Sequence, residues 1–370
     1  MNHRQKRSLT HKFVVTANFV AVAFLLICYS APLIDPVYFW PIAFFGLAYP
    51  FVLLINILFF FFWLIIWRRP AWLSFIVIVA GLPFHKNSFG LNFPYNIDKK
   101  PDSSIRVMSY NVHYFRPINK RSNDDSTKHK ILELIKREKP DILCVQEFYS
   151  RKKGKFNTKD SILKIMGTRN VFVKRIIGDD FEATGLAVFS KYPIASSKEI
   201  PFSENRSDNT CVYVDLEINE KIVRVFNIHL QSISFQQQDY EYYQKVKDSL
   251  STDPVLTRRL ARMLKKAFEK RSMQAKLVSE AVQGSPYPVI LCGDFNDTPL
   301  SYSFHKVSEG LNSAFTQRGV GFGKTYGGAF PNFQIDFILF DNTFEAKTYK
   351  ITPKKLSDHF PVRSDLEIKH

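Results

Sequence analysis

Polar side chains stand at the end of an apolar run in the carboxyl-terminal part of this chain of 370 residues. The run 289–292 leads directly into Gly293, Asp294 and Asn296, a pattern that predicts a buried strand ending in a polar turn. Asp294 and Asn296 are two positions apart, so in extended geometry both side chains leave the same face. Taken alone, the stretch fits a phosphate or hard-metal site and an ordinary turn about equally well.

Residues of the same chemical kind occur at or within other predicted strands. They are Asn111, Glu147, His229, Asp336, Asp358 and His359. Each one alone is more often a turn former, a solvated strand end or a structural histidine. Their joint occurrence favours a functional site, because active sites of layered α/β domains form at strand ends.

These side chains suit hydrolysis of a phosphoester. Carboxylate and carboxamide oxygens are ligands for Mg²⁺ or Mn²⁺, and a histidine beside a carboxylate suits general acid–base chemistry. Zinc is not indicated, because the four cysteines show no Cys/His ligand spacing. Cys28, Cys144, Cys211 and Cys292 are therefore predicted to be reduced core residues.

The elements that must position these residues alternate between strands and helices. A strand over 105–112, a helix over 127–138 and a strand over 141–147 predict a layered α/β domain. Further strands are expected at 170–177, 184–190, 194–200, 210–218, 221–229, 288–293 and 332–340, a helix at 255–282, and a final strand to about 368. Asn219 and Glu220 predict a hairpin turn. Segment 232–254 is expected to be a solvated cap on the following helix; the alternative is that its tyrosines stack on bases or lie at a lipid interface.

The first hundred residues are expected to be a membrane anchor. Apolar runs at about 13–34, 45–67 and 70–88 predict three transmembrane helices. The chain then divides into an anchor over 1–90, a linker over 91–103 and a catalytic domain over 104–370.

Basic residues in the flanks of these runs predict an orientation. Arg4, Lys6, Arg7 and Lys12 precede the first run, and an Arg68-Arg69 pair follows the second. The positive-inside rule places both regions in the cytoplasm. With three spans, the protein is a multi-pass membrane protein with an extracytoplasmic catalytic domain; if the third run does not cross, the domain is cytoplasmic.

The net charge is +17. Nine of the 51 basic and two of the 34 acidic residues precede residue 101, so the remainder carries +10. A basic domain suits nucleic acid, anionic lipid headgroups or phosphorylated small molecules. Charge alone does not choose between them.

Six short motifs, in order along residues 103–370, resemble the endonuclease/exonuclease/phosphatase superfamily, which includes pancreatic-type deoxyribonuclease. They are Ser109-Tyr110-Asn111-Val112, Gln146-Glu147, Asn227-Ile228-His229-Leu230, Gly293-Asp294-Phe295-Asn296, Ile335-Asp336-Phe337-Ile338 and Ser357-Asp358-His359. The resemblance implies a deoxyribonuclease-like fold, a two-sheet β-sandwich flanked by helices. The sequence departs from the family pattern at Gln334, where relatives often carry Arg.

The resemblance also implies a metal site. Glu147 would be the main ligand of Mg²⁺, with Asn111 and Asp358 assisting, and Mn²⁺ is an alternative to Mg²⁺.

Catalytic roles follow from the same resemblance. Asp294 and Asn296 would position the water and the scissile phosphate. His359, oriented by Asp336, would act as base or phosphate stabiliser. His229 would contact the phosphate or protonate the leaving oxygen.

The sequence thus predicts a membrane-anchored, Mg²⁺-dependent phosphodiesterase of nuclease type. A phosphodiesterase or phosphatase acting on lipid headgroups, similar to sphingomyelinases, is the first alternative. An inactive membrane-bound binding module is the second, and the intact set of acidic residues and histidines argues against it. The expected partners are a phosphodiester substrate, either nucleic acid or lipid headgroup, and the membrane; no protein partner follows from the sequence.

Overall fold

The amino-terminal region is mainly helical. The computed structural model describes residues 9–66, 69–93, 98–117, 125–179, 181–202, 209–233, 242, 253–328 and 333–369. Its first helices are α1 (Leu9–Ser30), α2 (Pro36–Phe39), α3 (Ile42–Ile65), α4 (Ala71–Ala80) and α5 (Leu82–Ser88). By length and composition, α1 and α3 are suited to cross a membrane.

The predicted third span at 70–88 is wrong, because this stretch forms two short helices. Helix α4 has ten residues, which rise about 15 Å, half of the ~30 Å hydrocarbon thickness of a bilayer. Gly81 ends α4, and Pro83 stands in the first turn of α5, where its missing N–H costs no helical hydrogen bond. Within the described residues, therefore, two helices have the length and composition of a span.

Polar side chains join α1, α3 and α4 to one another. The Asn18 amide of α1 donates a hydrogen bond to Ser74 Oγ of α4 at 2.8 Å. The Asn56 amide of α3 donates to the carbonyl of Ala21 in α1 at 2.9 Å. All three polar side chains are buried, so the apolar helices turn their polar groups towards each other. Such contacts hold helices together where apolar surface faces outwards.

The remainder of the described chain forms a two-sheet sandwich with helices outside, as predicted. The strands are β1 (Phe89–Leu91), β2 (Ser104–Asn111), β3 (Ile142–Arg151), β4 (Asn170–Gly178), β5 (Glu182–Ser190), β6 (Ile194–Ile200), β7 (Thr210–Ile218), β8 (Lys221–His229), β9 (Val289–Asp294), β10 (Asn312–Ser313), β11 (Val320–Phe322), β12 (Asp336–Phe340), β13 (Phe344–Ile351) and β14 (Val362–Ile368). The helices are α6 (Ser126–Glu138), α7 (Thr158–Met166), α8 (Pro254–Gln283), α9 (Tyr302–Val307) and α10 (Ala314–Arg318), with a short 3₁₀ turn over His113–Phe115.

Both large sheets are mixed. Counting described residues only, one has the strand order β10-β12-β9-β8-β7-β6 and the other β13-β14-β2-β3-β5-β4, while β1 pairs with β11 apart from them. Within the sheets β2 runs parallel to β3, and β8 parallel to β9. The remaining pairs are antiparallel.

Alternation along each strand divides its side chains between two cores. In β3, Ile142 and Cys144 belong to the core between the sheets, whereas Leu143 and Val145 pack with α6 and α7. In β9, Cys292 faces the core between the sheets while its neighbours pack under α8 and α9. Successive side chains of a strand point to opposite faces, and here both faces are covered by apolar neighbours. These strands therefore appear in the sequence as continuous apolar runs. The four cysteines are buried and free, as predicted.

Most predicted elements of the domain are present, with some differences. The turn at Asn219 and Glu220 joins β7 to β8 with positive φ at both residues, as a two-residue hairpin requires. The strand predicted over 332–340 is limited to β12. Helix α7 and strand β13 had not been predicted. Of segment 232–254, only residues 232, 233, 242, 253 and 254 are among the described residues, so its predicted role stays untested.

The helical region packs directly on the sandwich. Asp35, between α1 and α2, accepts a hydrogen bond from Ser272 and pairs with Lys276, both at 2.5 Å and both on α8. Phe44 of α3 lies edge-on to Phe268 of α8. Leu300, which follows β9, is buried in the apolar cluster of α1, α3 and α4. The connection between α1 and α3, together with the beginning of α3, is therefore in contact with the domain.

Candidate active site

The strand directions bring the predicted site residues to one edge of the sandwich. Because β2 and β3 are parallel, their carboxyl ends carry Asn111 and Glu147 to the same edge. Because β8 and β9 are parallel, His229 lies opposite Asp294 in the register. Strand β12 is antiparallel to β9 and begins where β9 ends, so Asp336 lies opposite Asp294 on its other side.

Asp294 stands at the centre of this group and is fully buried. One carboxylate oxygen, Oδ2, accepts a hydrogen bond from the Asn111 amide at 3.0 Å. The same oxygen lies 3.6 Å from Nε2 of His229 and 3.5 Å from Nε2 of His359. Residues from three parts of the fold thus converge on one oxygen atom.

A second contact fixes the orientation of His359. Its Nδ1 lies 3.0 Å from Oδ2 of Asp336, and both side chains are buried. Burial lowers the pKa of His359, but the neighbouring Asp336 and Asp294 carboxylates outweigh burial and raise that pKa well above its ordinary value. Burial raises the pKa of Asp336 to about 6, against the lowering effect of His359. Thr325 Oγ1 accepts the backbone N–H of Asp336 at 3.0 Å and so holds the strand end in place.

Glu147 reaches the site through an irregularity in β3. The pairing of β3 with β5 shifts register between Val145 and Phe148, and Glu147 itself has a φ of 48°. A left-handed conformation is unfavourable for a residue with a side chain, and such strained residues cluster at functional sites. Here it places Glu147 Oε1 3.3 Å from the Asn111 amide and 4.0 Å from Nε2 of His229.

The turn after β9 is equally constrained. Gly293 has a φ of 150°, and a Cβ at this position would lie 2.1 Å from the carbonyl oxygen of Ile228, so only glycine fits. Asn296 has a φ of 51°; its backbone N–H donates to Asp294 Oδ1 at 2.8 Å, and its side-chain amide donates to the Leu230 carbonyl at 3.0 Å. Asn296 therefore holds the turn against the end of β8, which leaves its side-chain oxygen as the atom available to a ligand.

Asp358 is joined to the group through Ser357. The Ser357 hydroxyl is within hydrogen-bond distance of the Asn111 carbonyl at 2.8 Å and of Asp358 Oδ1 at 3.1 Å. Burial, with the charges of Asp358 and Asp336, raises the pKa of Tyr110, which places both carboxylates near that phenol. In the described part of the chain, no hydrogen bond links Asp358 to Glu147 or to the side chain of Asn111.

The best-enclosed candidate for a cation among the described residues is not the predicted ligand set. Ligand atoms of Asp294, Asp336 and His359 lie within 4.8 Å of one another, whereas the predicted ligands were Asn111, Glu147 and Asp358. The two groups adjoin through the hydrogen bond between Asn111 and Asp294. Together they present mainly carboxylate and carboxamide oxygens, a donor set that fits a hard divalent cation.

Residues to which the sequence assigned no role connect the two sheets beneath the site. The Gln146 amide donates to Asn227 Oδ1 at 2.6 Å, and the Asn227 amide donates to the carbonyls of Val145 and Ala187 at 3.1 and 3.0 Å. Asn227 lies on one sheet and its partners on the other, so this network joins the sheets beneath Glu147 and His229. The sequence does carry a signal: a carboxamide within an apolar run is expected to be buried and therefore to need a partner.

Comparisons with known proteins agree with this architecture. A model of the Endonuclease/Exonuclease/phosphatase family matches residues 108–359, and a model of a domain of unknown function matches residues 11–88. No curated protein matches the chain.

Several solved structures share the fold of the domain. The human Nocturnin catalytic domain with bound sulfate anion is 17% identical over 73% of this chain and 97% of that one, with a TM-score of 0.52. An endonuclease/exonuclease/phosphatase from Beutenbergia cavernae DSM 12333 is 17% identical over 72% of each chain, with a TM-score of 0.51. D. rerio TDP2 humanized by 14 mutations is 13% identical over 72% of this chain and 100% of that one, with a TM-score of 0.50.

Replacing Asn227 by Leu should destabilise the protein by at least about 3 kcal/mol. The change removes the acceptor of one Gln146 N–H, since the amide keeps only Ser109 Oγ at 3.1 Å, and it removes the side-chain donor to the carbonyls of Val145 and Ala187. Each buried polar group left unsatisfied costs about 1–3 kcal/mol. Thermal or urea unfolding of the full chain measures the effect. As a control, Asn312→Leu removes a hydrogen bond to Asn342 at the surface and should change the free energy of unfolding by less than about 0.5 kcal/mol. Equal effects of the two changes would contradict the role of the network.

Proposed function

Because the chain belongs to the endonuclease/exonuclease/phosphatase family, whose members are typically divalent-metal-dependent hydrolases of phosphoester bonds, we propose that it is a membrane-anchored, Mg²⁺-dependent phosphodiesterase. The observation that carries the proposal is the convergence on Asp294. Side chains from β2, β8 and the 357–359 segment lie 3.0–3.6 Å from its Oδ2 atom. An arrangement of acidic and histidine side chains at one sheet edge suits attack of water on a phosphoester.

The reaction replaces one phosphorus–oxygen bond by another. A water oxygen attacks phosphorus, the bond to the leaving alcohol breaks, the water loses a proton and the leaving oxygen gains one. The site must therefore accept a proton on one side of the phosphorus and supply one on the other. Its two histidines, His229 and His359, lie on either side of Asp294, which suits this division of labour.

We assign Mg²⁺ to Glu147, with Asn111 and Asp358 assisting and Mn²⁺ as the alternative. Glu147 is partly exposed, and the hydrogen bond that it accepts from Asn111 is long at 3.3 Å, so its carboxylate oxygens have capacity for a cation. When bound, the ion would neutralise charge on the phosphate and on the leaving oxygen. Asn111 links this side of the site to Asp294 through its amide.

Asp336 is assigned to hold His359. Since Asp336 occupies Nδ1 at 3.0 Å, Nε2 is the ring atom that faces the reaction. In its neutral form this nitrogen accepts a proton from water; in its protonated form it donates a hydrogen bond to a phosphate oxygen. Asp294 and the Asn296 side-chain oxygen position the attacking water, while His229 contacts the phosphate or protonates the leaving oxygen.

The side chains exposed on the helical region support the proposal of a membrane anchor. Its helices bury Asn18, Asn56 and Ser74 and expose large apolar side chains, the reverse of the pattern in a water-soluble bundle. Exposed examples on the two long helices include Phe13, Leu26, Leu54, Leu58 and Phe61. We propose that residues 1–90 form the anchor, 91–103 the linker and 104–370 the catalytic domain.

We place the domain on the face of the membrane that lies away from the amino terminus. The domain packs against the connection between α1 and α3, through Asp35. That connection has no Lys or Arg, whereas Arg4, Lys6 and Arg7 precede α1; the positive-inside rule therefore puts the amino terminus in the cytoplasm. Because no single helix spans 70–88, the proposed path back to this face runs through the two short helices α4 and α5, after which β1 pairs with β11 of the domain.

Replacing His359 by Ala should lower the turnover of bis(p-nitrophenyl) phosphate by about 10²–10⁴-fold, because the proton-transfer group is lost. Release of p-nitrophenol with Mg²⁺ present measures it. The matched control is His305→Ala on α9, an exposed residue, which should leave turnover unchanged. Full activity of His359→Ala would contradict the assigned role. Absence of phosphoester hydrolysis by the unmodified full chain, with Mg²⁺ or Mn²⁺, would instead favour a binding module.

Replacing Glu147 by Gln should raise the Mg²⁺ concentration for half-maximal activity by at least about tenfold. The loss of one ligand charge weakens attraction to the cation while the shape of the side chain is kept. Titration of Mn²⁺ by calorimetry provides a readout that does not depend on turnover. Glu133→Gln on α6, an exposed carboxylate, serves as the control. Unchanged metal affinity in Glu147→Gln would assign the ion to Asp294, Asp336 and His359.

Labelling with a membrane-impermeant maleimide should show the orientation. A cysteine at Glu220, exposed in the β7–β8 turn, is expected to react in intact cells. A cysteine at Lys12, exposed near the start of α1, is expected to react only after permeabilisation. The four native cysteines are buried and should give little background. The opposite pattern would place the domain in the cytoplasm.

A further inference from the structure

A cavity of about 300 Å³ lies between α3 and the loops that carry the candidate active site. Its apolar wall combines residues from the helical region with residues from the domain. They are Tyr49, Pro50, Phe51, Phe89, Phe322 and Phe333. The cavity is therefore formed by residues of both the proposed anchor and the proposed catalytic domain.

Unpartnered polar groups line the same cavity. Gln334 is 5% exposed, and neither atom of its amide has a hydrogen-bond partner among the described residues. Thr298 is also 5% exposed, and within the same part of the chain its hydroxyl lacks a partner too. Buried polar groups without partners cost free energy. Two such groups in a cavity with an apolar wall indicate a ligand that has an apolar part and also a polar group able to form hydrogen bonds with Gln334 and Thr298.

The polar end of the cavity is close to the site along the chain. Gln334 precedes Asp336 by two residues, and Thr298 follows Asn296 by two. Two residues span at most about 7 Å between Cα atoms. A ligand with its phosphate at Asp294 can therefore extend its next few atoms to Gln334 and Thr298.

A cation and an aromatic ring lie along this path. Lys324 lines the cavity, and its ammonium lies 5.8 Å from the centre of the Phe360 ring, next to His359 in the chain. Tyr326, two residues on, packs edge-on against His359 with ring centres 5.4 Å apart. The segment 324–326 thus runs from the cavity to the site and offers positive charge for an anionic phosphoester.

We propose that the cavity binds the apolar part of the substrate, and that the substrate is a membrane-lipid phosphoester. This inference rests on the proposed function and names its substrate class. The phosphate lies at Asp294, the ester, amide or hydroxyl group next to it bonds Gln334 and Thr298, and the chain fills the cavity. The wall favours a lipid over a nucleotide because Phe51 both lines the cavity and is 55% exposed, so the cavity continues into the apolar surface of α3.

A series of p-nitrophenyl alkyl phosphate diesters tests the apolar part, with the full chain in lipid nanodiscs. From the methyl to the octyl ester, kcat/KM should rise, approaching about fourfold for each methylene that enters the cavity. Ser88 lines the cavity, so Ser88→Trp should fill it and flatten the series. Leu82→Trp, on the same helix at an exposed position outside the cavity, should behave as the unmodified chain.

The polar end is tested by comparing the octyl ester with a 2-(hexanoyloxy)ethyl ester of similar length. The unmodified chain should prefer the ester with the carbonyl by about 3–10-fold, the worth of one or two hydrogen bonds. Gln334→Leu should lose this preference and retain its unfolding temperature, because it removes an amide that has no hydrogen-bond partner among the described residues.

The outcomes separate the two proposals. Equal kcat/KM along the alkyl series, or an unchanged series in Ser88→Trp, overturns the lipid assignment while hydrolysis of the methyl ester upholds the proposed function. Hydrolysis of DNA or RNA at a higher kcat/KM than any alkyl ester also overturns it. Hydrolysis of none of the esters contradicts the proposed function itself.

Discussion

The arrangement of the site depends on one buried carboxylate. Asp294 is fully removed from solvent, and an isolated charge in such a place is strongly unfavourable. Its compensation comes from several parts of the fold at once: the Asn111 amide of β2 and the backbone N–H of Asn296 donate hydrogen bonds to it, and His359 lies 3.5 Å away. A single buried charge therefore makes the two sheets mutually dependent, since moving either sheet removes part of its compensation.

The backbone around this carboxylate has conformations that the strands alone would not adopt. Glu147 and Asn296 both have positive φ, and Gly293 has a φ that tolerates no side chain. Each deviation turns a polar group towards the site at a strand end. The cost, about 1–3 kcal/mol for a strained residue, is offset by the close-packed strands beneath and by the Gln146–Asn227 network.

The helical region and the site share the short loop that follows β9. Asp297, directly after Asn296, is buried with Arg271 of α8 at 3.1 Å, and the same helix contacts Asp35. Leu300 packs into the apolar cluster of α1, α3 and α4. Its carbonyl oxygen lies so close to Gly46 of α3 that a Cβ at this glycine would be only 2.6 Å away. The helices are thus in direct contact with the loop that positions Asp294, rather than joined to the domain by the linker alone.

Several features followed from the sequence alone, because they depend on local pattern. They are the polar side chains at the strand ends, the positions of the strands that appear as apolar runs, the hairpin at Asn219 and the order of the motifs. The prediction of a single transmembrane helix over 70–88 was wrong, because apolar composition does not show that a helix ends at Gly81. The tertiary structure decided which carboxylate is central: Asp294 has that place, and Glu147 reaches the group only through a register shift in β3. It also decided that Asn296 bonds to Leu230 and that α3 and the loop of Thr298 enclose a cavity. These features depend on contacts between residues far apart in the chain, and no local pattern encodes them.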